Sequence, residues 1–267
     1  MGYTVRRVEN SAIKVPTLSE ISDALRRLDL SDSHLIQGSG EPTELGRTLV
    51  AYYEYRARTL QEFVEPRLMT AARAKAVFEK LRSTLNPRCP VPMNKQKGDK
   101  REPAFLTGIV NMLIESNAGG HACEYDPRRL TTVTRNRAPL RTLARRVDGA
   151  FPTTVNPIAV WEIKEYYYTT TFGSRVADGV YESLLDGMEL QELAEHEGIK
   201  VLHYLMIDAH YTWWQCGKSY LCRIIDMLHM GFVDEVLFGF EVVERLPQIV
   251  QQWCEIAVAR EVNNRRA

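Results

Sequence analysis

The amino-acid sequence predicts an α/β protein: a mixed central β-sheet flanked by helices, with a helical N-terminal region. Three observations carry that prediction. The first third repeats apolar residues at helical spacing. The middle breaks into short runs rich in β-branched and aromatic residues. From residue 174 onward, amphipathic stretches of helical length alternate with apolar runs of strand length, as in a sheet with helices on its faces.

Each element has its own justification. "PTLSEISDALRRLDL" offers Thr17 or Ser19 as a cap and places Ile21, Leu25 and Leu28 on one helical face. "EPTELGRTLVAYYEYRARTLQEFVE" aligns Leu49, Tyr52, Tyr53, Leu60 and Val64, and "TAARAKAVFEKLRSTL" follows Pro66 as a third helix. Residues 1–86 are therefore expected as a helical N-terminal region. "NPRCPVPMNKQKGDKREP" holds four prolines and five cations without periodicity, which marks 87–103 as a basic, proline-rich linker. Residues 104–267 form the expected core, ending in a C-terminal helix. That core opens with "PAFLTGIVNMLIES", an apolar helix with Pro103 at its start and "NAGG" as its stop. Strand-like runs follow at "HACEYD", "LTTVTR", "RRVDGAF" and "IAVWEIKEYYY". "SRVADGVYESLLDGMELQELAEHEG" is a long helix with Val176, Val180, Leu184 and Met188 on one stripe, acids on the other, and Gly198 as its stop. "IKVLHYLMIDA" has the apolarity of a central strand. "GKSYLCRIIDMLHMG", "VDEVLFGF" and "LPQIVQQWCEIAVAREV" then give helix, strand and helix.

Composition bounds the function classes. The chain has 267 residues, 45% hydrophobic and 25% charged, which is the make-up of a globular protein with a sizeable core. "MGYTVRRVEN" lacks the apolar run of a secretory signal, and no stretch reaches the roughly 18 apolar residues of a membrane helix. A cytoplasmic protein with no membrane partner is expected. Five scattered cysteines without a C-x-x-C pair argue against a disulfide framework and a zinc ribbon. The formal net charge is zero, but the charges are segregated: Arg128 to Arg146 holds seven arginines and no acid, and Val176 to Ile199 holds seven acids and no Lys or Arg. A cationic stretch gains from counterion release beside a polyanion, and is otherwise a solvated face.

The chemistry concentrates in "RRVDGAFPTTVNPIAVWEIKEYYYTT", residues 145–170, where Asp148, Glu162 and Lys164 interrupt apolar strand-like runs. Side chains alternate along a strand, so Val160, Glu162 and Lys164 share one face and Ala159, Trp161 and Ile163 the other. If "RRVDGAF" pairs with this strand through the turn at "PTTVNP", Asp148 comes within reach of Glu162. Two buried carboxylates repel each other and are costly unless positive charge joins them. Mg²⁺ accepts such a set: one or two carboxylates, here Asp148 and Glu162, a backbone carbonyl such as that of Ile163, and water or phosphate oxygens. Lys164 beside such an ion could hold or deprotonate the attacking water and face a phosphate.

Asp148, thirteen intervening residues, and then Glu162-Ile163-Lys164 at the end of an apolar strand resemble the PD-(D/E)XK nuclease superfamily, which includes most type II restriction endonucleases. The resemblance extends over roughly residues 100 to 240, where the order of elements also agrees. It implies a restriction-endonuclease-like core and Mg²⁺-dependent hydrolysis of double-stranded DNA. Asp148 and Glu162 would be metal ligands and Lys164 the residue that positions the water. It also implies a homodimer acting on two-fold symmetric sites. One departure is that Val147 stands where the family name has proline. A further acid on the preceding helix is common in that family, and Glu102 and Glu115 are both candidates. Arg145, Arg146, Arg175 and Lys97 are the expected DNA contacts, Arg175 because it opens a helix whose N-terminus favours anions. The competing readings are a non-catalytic DNA- or partner-binding protein with the same fold, a repair or defence nuclease, and an RNase.

Other motifs carry less. "CGKS" has the tail of a phosphate-binding loop, but Thr212 stands in place of its first glycine. "HEGIKVLH" is not H-E-x-x-H, and the six histidines show no metal-ligand spacing. "DAHYTWWQC" clusters Tyr211, Trp213 and Trp214 after a strand, where core packing is favoured over base stacking. "FGSR" invites an ordinary cap by Ser174 as well as the phosphate contact by Arg175.

Overall fold

The computed structural model describes residues 2–4, 12–94, 102–169 and 173–266. The helical N-terminal region is α1 (Leu18–Arg26), α2 (Glu44–Thr59) and α3 (Ala71–Leu85). Thr17 caps α1 in a reciprocal capping box with Glu20, and Thr43 and Thr70 cap the next two through their hydroxyls. After α2 the chain widens into a π-helical turn at Leu60–Val64 and tightens to a 3₁₀ turn at Glu65–Arg67, where Pro66 removes an N–H.

A five-stranded sheet forms the centre, with the neighbours β1 (Glu124–Tyr125), β4 (Gly149–Phe151), β5 (Ala159–Glu165), β6 (Leu202–Asp208) and β7 (Glu235–Phe238). β1, β4 and β5 make an antiparallel meander, and β6 and β7 join in parallel. The parallel connections run through α5 (Ser174–Glu197) and α6 (Lys218–His229). The expected mixed sheet flanked by helices is therefore the observed architecture.

Both faces of the sheet are covered. One packs Trp161, Tyr204, Met206 and Leu237 against α3, α4 (Phe105–Asn117) and α7 (Glu241–Arg266). α4 is apolar nearly all round because it lies between α3, α7 and the sheet, with Leu106, Ile109, Val110 and Ile114 fully enclosed. The other face packs Leu205, Ile207, Val236 and Phe238 under α5 and α6. Ile13, Ala57, Leu60, Val64 and Leu68 join this second layer, so the N-terminal region contributes to the same interior as the sheet. The described part of the proline-rich stretch is tied to α4: Asn111 donates to the Pro90 carbonyl and Glu115 accepts from the Arg88 N–H.

Some elements differ from expectation. The arginine-rich stretch holds an unforeseen strand, β3 (Ala138–Thr142), paired with β2 (Thr132–Arg135) in a separate hairpin. Its turn uses Asn136 and Arg137, both at positive φ, so the familiar Asn-Gly signal is missing, and Pro139 sits beside an irregularity in the register. α7 starts at Glu241, ahead of Pro247. On α5 the buried stripe runs through Val176, Val180, Ser183, Asp186, Leu190 and Leu193, whereas Met188 is exposed. Gly198 ends α5 in the left-handed conformation, as expected.

Candidate active site at the end of the meander

β5 alternates as its sequence dictates. Ala159 and Trp161 enter the α4/α7 layer, while Val160, Glu162 and Lys164 face α5. Asp148 lies one residue before β4. The register pairs Gly149 with Trp161, so the next step brings Asp148 opposite Glu162. The Asp148 N–H donates to the Trp161 carbonyl at 3.1 Å, and its carboxylate Oδ2 accepts the Ile163 N–H at 2.8 Å. The Ile163 carbonyl projects from the same edge of the strand as its N–H, into the space beyond the end of β4.

Glu162 is fully buried and Lys164 nearly so. Lys164 Nζ donates to Glu162 Oε2 at 2.8 Å and to Glu182 Oε2 of α5 at 3.2 Å. Arg145 lies across the same carboxylates, with Nη2 3.0 Å from Glu162 Oε2 and 3.3 Å from Glu182 Oε2. Its Nη1 reaches Glu162 Oε1 at 3.0 Å and also pairs with Asp186 Oδ2. Two cations thus meet four acids: Asp148, Glu162, Glu182 and Asp186.

The electrostatics follow from this crowding. Burial pushes the Asp148 carboxyl up, and the charge of Glu162 adds to it, giving a value of about 6. Burial also pushes Asp186 up, again reinforced by Glu162, to about 7. For Glu162 burial acts in the same direction, but Lys164 and Arg145 outweigh it and hold the group below its ordinary value. Burial opposes the charge on Lys164, yet Glu162 and Asp148 overcome that and raise its pKa. A lysine held in this way stays protonated at neutral pH. It can orient a water or a phosphate by donating hydrogen bonds, and it is a poor proton acceptor.

The remaining sequence candidates fall elsewhere. Glu102 pairs with Lys75 and Tyr168, and Glu115 holds the Arg88 N–H, so the acids that join the cluster come from the helix after β5. Glu182 and Asp186 were hidden in the acidic run of α5; their spacing of four, on a helix crossing a charged strand, was the available signal. Arg145, expected on phosphate, is turned inward to the carboxylates. Arg146 is exposed and donates to the Pro127 carbonyl at 3.3 Å. Lys97 lies outside the described residues, as does the side chain of Arg175. Gly173, not Ser174, is the N-cap of α5, and no side chain caps it. Trp213 and Trp214 are buried, in keeping with core packing.

The charge segregation also finds a partner inside the molecule. Arg135 pairs with Glu197, Arg141 with Glu189 and Glu192, and Arg145 with Glu182 and Asp186. The basic hairpin therefore lies along the acidic helix, and each run neutralises much of the other.

The carboxylates of Asp148 and Glu162 and the carbonyl of Ile163 are hard oxygen donors suited to Mg²⁺. Among the described residues no three His, Cys, Asp or Glu side chains converge as a ready-made metal cluster, so such an ion would rely on water or phosphate oxygens for its other ligands. No helix among the described residues is long and apolar enough to cross a membrane.

Residues 69–253, more than half of the chain and all of the sheet, match the family described as domain of unknown function DUF7687. The chain belongs to the DUF7687 family. A second family, described as domain of unknown function DUF7690, matches residues 1–63. The DUF7687 segment begins just before α3 and contains Arg145, Asp148, Glu162, Lys164, Glu182 and Asp186. No curated protein and no solved structure matches the chain.

Proposed function

We propose that this DUF7687 protein is a Mg²⁺-dependent endonuclease that hydrolyses phosphodiester bonds of double-stranded DNA, with a restriction-endonuclease-like core. The observation that carries the reading is the Asp148 carboxylate held on the Ile163 N–H, at the step of register opposite Glu162 and on the strand that also bears Lys164. The order of elements supports it: an apolar helix, an antiparallel meander, and a helical crossover to a parallel strand. The donor set supports it as well, because Glu162 Oε1 is buried and makes no hydrogen bond.

A bound Mg²⁺ would supply Lewis-acid stabilisation of the charge that develops on the phosphate. The side chains do the rest. Asp148 and Glu162 hold the ion, and the Ile163 N–H fixes the Asp148 carboxylate in place. Lys164 presents its ammonium to the attacking water or to a phosphate oxygen, and Glu162 and Glu182 fix its position. Arg146, exposed and next to Arg145 in the chain, is the contact we assign to the DNA backbone.

A non-catalytic reading has one observation in its favour: Arg145 and Lys164 already neutralise Glu162. Incubating the protein with double-stranded DNA or RNA, in Mg²⁺ or in EDTA, separates the readings. The endonuclease reading expects cleavage of DNA in Mg²⁺ alone. Binding without cleavage across varied DNA favours the non-catalytic protein, and cleavage confined to RNA makes it an RNase.

A further inference from the structure

Arg145 sits in the bend between β3 and β4, outside any regular element, and its guanidinium separates Glu162 and Asp186 from solvent. Both carboxylates are completely buried, while the Arg145 side chain keeps 24% of its surface exposed. Of the two cations in the cluster it is the more exposed.

The guanidinium satisfies the cluster incompletely. Its two terminal nitrogens reach Glu162, Glu182 and Asp186, yet Glu162 Oε1 and Asp186 Oδ1 are left buried without a hydrogen bond. Glu162 Oε1 lies 3.0 Å from Nη1 at an angle that makes no bond. Native interiors rarely leave such oxygens unpaired, because each forfeits the solvation of a charged group. Charge points the same way. Arg145 and Lys164 supply two positive charges against the four carboxyl groups of Asp148, Glu162, Glu182 and Asp186, and a divalent ion in place of Arg145 raises that to three.

We propose that Arg145 is a displaceable occupant of the cation site: a divalent ion takes its place between Glu162 and Asp186, and the released guanidinium swings out toward the phosphate backbone. This rests on the nuclease reading and adds to it a further ligand, Asp186, and a latch. Cation binding then exposes Arg145 beside Arg146, so the loop becomes more cationic only when the site is loaded.

Mn²⁺ serves as the probe, its binding to the full-length chain followed by electron paramagnetic resonance. Removing the latch in Arg145→Gln is expected to tighten Mn²⁺ binding at least about tenfold, and Asp186→Asn to weaken it by a similar factor. A second measurement needs no variant. Phenylglyoxal modification of Arg145, read by mass spectrometry, is expected to speed up several-fold when the wild-type protein is loaded with Mn²⁺. Mn²⁺ binding with Arg145 equally or better protected overturns the latch and leaves the nuclease reading standing. Absence of Mn²⁺ binding by the wild type and by Arg145→Gln overturns both.

Discussion

Gly149, the residue after Asp148, has no room for a methyl group: a Cβ there would lie 2.1 Å from the Trp161 ring, which is itself stacked on Trp253. Gly149→Ala is expected to cost about 3 kcal/mol by overpacking, read as a lowered denaturant midpoint with altered tryptophan fluorescence. The glycine thus lets β4 approach β5 closely enough for Asp148 to bond the Ile163 N–H. At this scale the sequence revealed three residues of the candidate site and concealed the others. Asp148, Glu162 and Lys164 were legible because charge is conspicuous in apolar strands. Asp186 was not, because an acid among seven on one helix reads as a solvated face. It is buried because α5 runs tight against its surroundings: a Cβ on its neighbour Gly187 would meet the Phe232 carbonyl at 2.3 Å. Arg145 was legible as a cation, but its partners come from a helix about forty residues downstream, which spacing does not disclose.

At the scale of elements, a second pair of buried acids ends the parallel strands. Glu165 of β5 and Asp208 of β6 are register partners. Glu165 accepts the Thr107 N–H and hydroxyl at the start of α4. Asp208 accepts the N–H groups of Met69 and Ala209 and the Tyr167 hydroxyl, which ties β6 to the segment before α3. Burial pushes both carboxyls up to about 7. The folded state therefore binds these protons more tightly than the unfolded chain does. Stability from this source is fully present below the ordinary carboxylate range and is lost as pH rises toward 7, at up to about 1.4 kcal/mol per pH unit for each group. Asp208→Asn is expected to flatten that slope, measured as denaturant midpoints from pH 4 to pH 8; an unchanged slope contradicts the role given to Asp208. The basic hairpin on α5 behaves differently. Its Arg141 pairs are only partly buried, so Arg141→Ala is expected to cost about 1 kcal/mol in the same assay. Most elements were legible, α5 and its glycine stop best of all, because length and period are local properties. β3 was not, since its turn has no glycine and its strand contains Pro139.

For the whole molecule, the N-terminal region and the sheet share an interior. Leu60, Val64 and Leu68 pack in the same cluster as Val180, Leu205 and Trp213, and α3 packs on α4. A chain lacking residues 1–63 is expected to lose its cooperative melting transition, followed by circular dichroism, because that cluster would open to water. The net charge of zero has a structural counterpart in the pairing of the arginine-rich hairpin with the acidic helix, a long-range match invisible in either run alone. It leaves Arg128, Arg129, Arg137 and Arg146 as exposed arginines of that stretch, so the attraction that the proposed function requires for DNA is more local than the sequence suggests. The most direct test of the account is cleavage of supercoiled plasmid DNA in Mg²⁺ by the wild type beside Glu162→Ala and Lys164→Ala, each checked for an intact fold. The account predicts that the wild type nicks or linearises the plasmid and that both folded variants lose at least about a hundredfold in rate; undiminished cutting by both variants would contradict it.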